Sequence, residues 1–389
     1  MKKTYRNLLD IIKSTLLDVP VKIDGDLDYS ELFDLSKNHK IIPLVFMGLY
    51  KHFGDIPEVE QFRNFTYQSI FHDQNQLYLI NEIEKIFSDY NIDYMLLKGA
   101  SIKKYYPAPE TRLMGDVDIL IKEEQYKVIK KILPQLGLHE MKETDHELNW
   151  CNNSGILIEL HKKLIPSYND DYYKYYSEPW GKAYSRNGNG FSMLPEDEYI
   201  YMFTHMTKHY RDGGIGLRHI IDLYVFSLKH PMLNMKYIEK ELQKLDLEIF
   251  HKHILETINV WFNEKQETKI SDYITDRIIE SGAYGIKEKW DLANASRISA
   301  SSASVSIAKS KSILLLIFMP YSSMKKKYPI LNMIPILLPF MWAVRWIDAI
   351  INKRDNISRH SERITKIDET LIEGYNKELE MVGLKFEKK

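Results

Sequence analysis

Cysteine is almost absent from this chain: Cys151 is the only one in 389 residues. A lone cysteine cannot close an internal disulfide, and nothing here asks for an oxidising compartment. It lies in Asn149-Trp150-Cys151-Asn152-Asn153 with no neighbour to activate it, so it reads as a bystander. An excess of either charge is absent too. Lys and Arg number 53 against 54 Asp and Glu, a formal net charge of −1. No global basic field exists to gather nucleic acid or anionic lipid, and there is no strong nucleic-acid signal. A long clean apolar run is also missing. Tyr328 to Val344 carries no charge, but Pro329, Pro335 and Pro339 interrupt it. A spanning helix needs about 20 apolar residues, and each proline removes a backbone hydrogen bond that lipid cannot replace. Weak membrane-surface contact is the most this segment offers, and packing on the rest of the protein is the plainer reading. The basic N-terminus has its apolar residues broken by Asp10 and Lys13, which suits an amphipathic helix and not a signal peptide. A cytoplasmic chain is expected.

What is present is ordinary for a globular protein, with 44% hydrophobic and 28% charged residues. The length supports two or three folding units. Residues 1–90 read as a helical region. Leu8, Ile11, Ile12, Leu16 and Leu17 recur at helical spacing, Asp28 and Ser30 precede a capped start, and Gln61 to Asp89 continues the pattern. Residues 91–194 change character. Tyr94 to Leu97 is a short apolar run, Ala100 to Tyr106 can form a helix, and Val117 to Ile121 reads as a strand. Gln125 to Leu136 is a helix stopped by Gly137, and Ile156 to His161 is another strand. Strand, helix, strand, helix, strand describes a small α/β unit. Residues 195–295 return to helix, with starts at Pro195, Leu217 and Met235. Residues 296–312 are serine-rich and read as a linker. Residues 313–389 combine the apolar, proline-interrupted segment with a charged C-terminal helix.

The informative stretch is Leu97-Lys98-Gly99, then Arg112 to Leu120, then Ile158-Glu159-Leu160-His161. Asp116 and Asp118 are two apart, so on a strand both carboxylates project to one face. Two like charges that close are costly unless a cation sits between them. Hard oxygen ligands suit magnesium or manganese, and two such ions can clamp the attacking and leaving oxygens of a phosphoryl displacement. Glu159, on a later apolar strand, would supply a third carboxylate as ligand or proton acceptor if that strand pairs beside the first. Gly99 lets backbone amides approach a phosphate, Lys98 adds a point charge, and Arg112 offers a fork suited to phosphate oxygens.

In order and spacing, Leu97-Lys98-Gly99, Tyr106-Pro107-x-Pro109-x-x-Arg112-x-x-Gly115-Asp116-x-Asp118-Ile119-Leu120 and Ile158-Glu159-Leu160-His161 resemble the uncharacterised nucleotidyltransferase family of bacteria. That family is a branch of the polymerase-beta-like nucleotidyltransferase superfamily. Ser36 to Leu44 and the proline-punctuated tail through Arg345 are similar to the family as well. The resemblance implies an α+β fold: a small polymerase-beta-like core with a mixed sheet, flanked by N-terminal and C-terminal helical regions. It implies Asp116, Asp118 and Glu159 as catalytic metal ligands for Mg2+ or Mn2+. It also implies Lys98, Gly99, Ser101, Arg112 and Gly115 as nucleotide-binding residues. The partners would be an NTP and an unknown acceptor: a small molecule, sugar, protein or RNA end. One departure stands out. The superfamily carries Gly-Ser or Gly-Gly where this chain has Lys98-Gly99, so Ser101 would have to replace the missing hydroxyl. That departure motivates a second reading, a catalytically weak or inactive nucleotide-binding module, with a membrane surface in cell-envelope polysaccharide assembly as one setting for it.

His161, His205, His209, Arg218 and Asp222 are candidates for the acceptor pocket. His205 and His209 share a helix face, and Arg218 and Asp222 are four apart and could pair. Gly213-Gly214-Ile215-Gly216 has no strand leading into it, which excludes a dinucleotide-binding loop.

Overall fold

The computed structural model describes residues 1–144, 146–300, 314, 317–352 and 367–386. They form two compact units, one of 1–210 with 214–285 and one of 211–213 with 286–389.

The first unit opens with helices α1 (Lys3–Leu17), α2 (Tyr29–Asn38), α3 (Ile42–Phe53) and α4 (Glu60–Asp89). The capped start read from the sequence is present: Asp28 accepts from the Glu31 amide at 2.9 Å. Seven strands follow, interleaved with short helices. They are β1 (Tyr94–Leu96), α5 (Lys98–Ile102), β2 (Asp116–Ile121), α6 (Tyr126–Ile132), β3 (Leu138–Glu143), β4 (Glu147–Asn152), β5 (Leu157–His161), α7 (Asp170–Tyr173), β6 (Ala183–Asn187) and β7 (Gly190–Met193). Their order across the sheet is β3-β4-β5-β2-β1-β7-β6. β2 runs parallel to β5 and antiparallel to β1, so the sheet is mixed and the protein is α+β. The unit ends in α8 (Pro195–Asp212, whose last two residues fall in the second unit), α9 (Leu217–Lys229), α10 (Met235–Gln243), α11 (Glu248–Phe262) and α12 (Lys269–Ser281).

The two-residue period of the central strands decides where the site can be. Val117, Ile119 and Ile121 of β2, Leu148 and Trp150 of β4, and Ile158 and Leu160 of β5 share one core. Leu79, Ile80, Ile83, Ile86 and Phe87 of α4 and Ile129 and Ile132 of α6 belong to the same core. Each such side chain contributes about 1.5–3 kcal/mol on burial. A shift of register by one residue would turn all of them to the other face, so the core fixes the register. The intervening residues Asp116, Asp118, Glu147, Asn149, Glu159 and His161 therefore occupy the opposite face.

Four strands go beyond the three expected. β3 and β6 are edge strands, short and polar, so neither shows an apolar stripe. The helix expected over Ala100 to Tyr106 is shorter and begins earlier, at Lys98, and ends in a 3-10 turn over Lys103–Tyr105.

The second unit contains α13 (Lys287–Ala300), α14 (Tyr321–Lys327), α15 (Leu338–Asn352) and α16 (Glu369–Val382). The start of the serine-rich stretch, 296–300, completes α13, and Ser296 is buried. The rest of that stretch, 301–312, lies outside the described residues, as do 355–366 and 387–389 of the charged C-terminal helix expected over 355–389. The described part of that helix is not simply an exposed charged rod: Ile372, Tyr375, Leu379 and Val382 make a buried stripe on α16. Ile330, Met333, Ile336 and Phe340 are exposed. Among the described residues, no helix is long and apolar enough to cross a membrane.

Candidate active site

The register of β2 against β5 sets Asp118 directly beside Glu159 and Leu120 beside His161. Asp116, Asp118, Glu159 and His161 all line one cleft of about 1060 Å³, contained within the first unit. Asp118, Glu159 and His161 offer ligand atoms that all lie within 4.8 Å of one another. Asp116 is not part of that tightest set, though its charge acts on Glu159.

The electrostatics are those of acids crowded without enough positive charge. Burial raises the Glu159 carboxyl, Asp118 and Asp116 raise it further, and it reaches about 8. Burial and then Asp118 also raise Asp116. Asp118 goes the other way. Burial would raise it, but Lys98 and His161 outweigh burial and hold it well below the carboxylate range. The Lys98 ammonium donates to Asp118 Oδ1 at 2.7 Å, and His161 Nε2 lies 2.6 Å from the same oxygen. Burial, and then Lys98, lower His161, so the ring is neutral near pH 7 and the nitrogen facing Asp118 is the one that carries hydrogen.

These shifts fit a divalent cation. Asp118 and Glu159 could hold it through hard oxygens, being the two carboxylates of the set within 4.8 Å, and Asp116 lines the same cleft. A pH dependence follows. Glu159 is raised from the ordinary 4.5 to about 8 in the folded chain. Its contribution to stability is thus fully present below about 4.5 and lost as pH rises through about 8. The metal-free protein should therefore lose up to about 5 kcal/mol over that range from this group, less the part that solvent screening removes. Urea unfolding at several pH values should show a shallower slope for Glu159→Gln, and added Mn2+ should restore the wild-type protein at pH 8.

The phosphate-binding expectations meet a different arrangement. Arg112 lines the cleft but is buried and committed to a carboxylate. Its Nε and Nη2 donate to the two carboxylate oxygens of Asp222 on α9, both at 2.7 Å, and Tyr106 donates to Asp222 Oδ1 at 2.6 Å. Asp222 is buried, which would raise its carboxyl, but Arg112 holds it down. The Arg218–Asp222 hydrogen-bonded pair expected from their spacing is thus replaced by Arg112–Asp222. Arg218 Nη1 reaches the Leu113 carbonyl at 3.2 Å, while its buried Nε finds no hydrogen-bond partner. Gly99 and Gly115 line the cleft. A Cβ on Gly99 would come within 3.0 Å of Met114 Cγ and 3.3 Å of Arg112 Nη1, so the loop needs glycine for close approach. Ser101 is turned away: it is bonded to Glu198 and is not among the cleft residues.

The loop that leads into β2 is held from several sides. Asp73 of α4 is ion-paired with Lys103, and Gln76 donates to the Met114 carbonyl at 3.4 Å. His205, His209, Arg218 and Asp222 also line the cleft. His205 and His209 face each other through their Nε2 atoms at 3.2 Å. Burial, followed by neighbouring cations, pushes both far below the usual histidine range. Glu147 was missed by sequence reasoning. It faces the cleft from β4, opposite His161, and is held below its ordinary value first by His146 at 3.1 Å. The alternation Glu147-Leu148-Asn149-Trp150 was the signal that could have found it.

A sequence model described as "Uncharacterised nucleotidyltransferase" matches residues 25–263. No curated protein matches the chain significantly. Among solved structures, the antibiotic-resistance factor ANT(2'')-Ia is similar at 18% identity and a TM-score of 0.34, over 46% of this chain and 99% of that one. An antigenic nucleotidyltransferase-like protein from Paracoccidioides brasiliensis is similar at 16% identity and a TM-score of 0.28, over 48% of this chain and 91% of that one.

Proposed function

Because the chain belongs to the uncharacterised nucleotidyltransferase family, we propose that it moves an NMP group from an NTP to an acceptor hydroxyl, using Mg2+ or Mn2+. The acceptor oxygen attacks the α-phosphorus, the bond from that phosphorus to the bridging oxygen breaks, and pyrophosphate leaves. The observation that carries this reading is the convergence of Asp116, Asp118 and Glu159 on one cleft face, with Glu159 raised to about 8 by burial and by the other two. When bound there, the cation would neutralise developing charge on the phosphoryl oxygens.

The protein's own groups supply the rest. Asp116, Asp118 and Glu159 are the ligands, and a carboxylate among them can take the acceptor proton. His161 orients Asp118 by hydrogen bonding. Lys98 and Arg112 are each neutralised by a carboxylate, so the grip on the triphosphate falls to Arg218, which lines the cleft and is hydrogen-bonded to a carbonyl and not to a carboxylate. The size of the cleft suits a nucleotide with a small acceptor or with the end of a larger one.

The test is to incubate the protein with each labelled NTP, Mg2+ and a cell extract, and to follow pyrophosphate and mass. A gain of one nucleotide on any acceptor, with pyrophosphate, supports the reading. Binding of nucleotide with no pyrophosphate from any of the four would instead favour a binding module without turnover.

A further inference from the structure

Lys98 is unusual twice over. Its backbone lies at φ 49°, in the left-handed region, although it is not glycine. That conformation is strained for a residue with a Cβ. The chain therefore keeps a strained lysine where glycine would be relaxed. What the lysine gains is specific. Leu97 continues the pairing of β1 with β2 through its amide and the Asp118 carbonyl at 3.0 Å, and Lys98, next in the chain, carries its side chain to the Asp118 carboxylate. The ammonium then meets Asp118 Oδ1 at 2.7 Å, with Asp118 itself only 5% exposed.

We propose that the Lys98 ammonium takes the place of one divalent cation, so that the carboxylate site gathers one metal ion rather than two. This rests on the nucleotidyltransferase reading of the site. Lys98 already sets a positive charge against Asp118, at a carboxylate oxygen that a second cation would need. Asp118 Oδ1 also holds His161, so that oxygen has two donors and no open position for a second ion.

The test counts bound Mn2+ by electron paramagnetic resonance, with Mn2+ alone added to the full chain. Wild-type protein and Lys98→Arg should each bind one ion per chain. Lys98→Met and Lys98→Gln should each bind two, and having both guards against one of them failing to fold. Two ions or none on the wild-type chain overturns the proposal, and so does an equal count in the wild type and the folded neutral variant. The labelled-NTP assay separates this from failure of the parent reading. Pyrophosphate release with unchanged ion counts would sink only the role of Lys98. The expected counts without transfer by any NTP would sink only the enzyme.

Discussion

Asp116→Asn is expected to lower nucleotidyl transfer about 10³-fold without lowering stability. The loss of rate follows from removing a ligand whose cation stabilises charge on the transferring group by several kcal/mol, at about 1.4 kcal/mol per tenfold. The stability expectation has the opposite sign, for a stated reason. Burial and Asp118 already raise the Asp116 carboxyl, so its ionised form is disfavoured in the folded chain. A neutral amide of the same shape removes that repulsion. Rate measured with the best NTP, alongside urea unfolding, checks both halves. Retained transfer would remove Asp116 from the catalytic set. Lost transfer with a lowered midpoint would mean that the residue holds the fold. Asp118→Asn is a less clean probe, because it strands the Lys98 ammonium that Asp118 now neutralises.

Arg112→Met is expected to destabilise the protein by about 3–5 kcal/mol, the usual cost of removing one partner of a buried pair. Asp222 would keep only Tyr106 as a strong donor, in a place where its charge is hard to tolerate. Were Arg112 chiefly a phosphate ligand, the same change would weaken NTP binding and leave the unfolding midpoint within about 0.5 kcal/mol of wild type. Arg218→Met should show the converse, raising KM for the NTP more than it lowers stability. Denaturant unfolding of both variants, with KM for the NTP, separates the structural arginine from the binding one.

These assignments mark where sequence reading stopped. The period of two in Asp116-Val117-Asp118-Ile119 made it legible that both aspartates share a face, and an apolar strand carrying Glu159 promised a third acid. The pairing that joins them is a parallel contact between β2 and β5, separated by a helix and two strands, and no local pattern specifies it. β6 and β7 could have been read from Asn187-Gly188-Asn189-Gly190, a turn with Gly188 at φ 56°. β3 had no such signal: its Met141 is 62% exposed, and its charged residues mask the strand period. Arg112 and Asp222 lie 110 residues apart, so their pairing was invisible, while the four-residue spacing of Arg218 and Asp222 suggested the wrong partner.

The most direct measurement is the anomalous scattering of Mn2+ in a crystal grown with a non-hydrolysable NTP analogue. The account predicts a peak at about 2.1 Å from carboxylate oxygens of Asp116, Asp118 and Glu159, with the α-phosphate beside it. A nucleotide bound in the cleft with no metal at those three carboxylates, or with the metal held elsewhere, would contradict it.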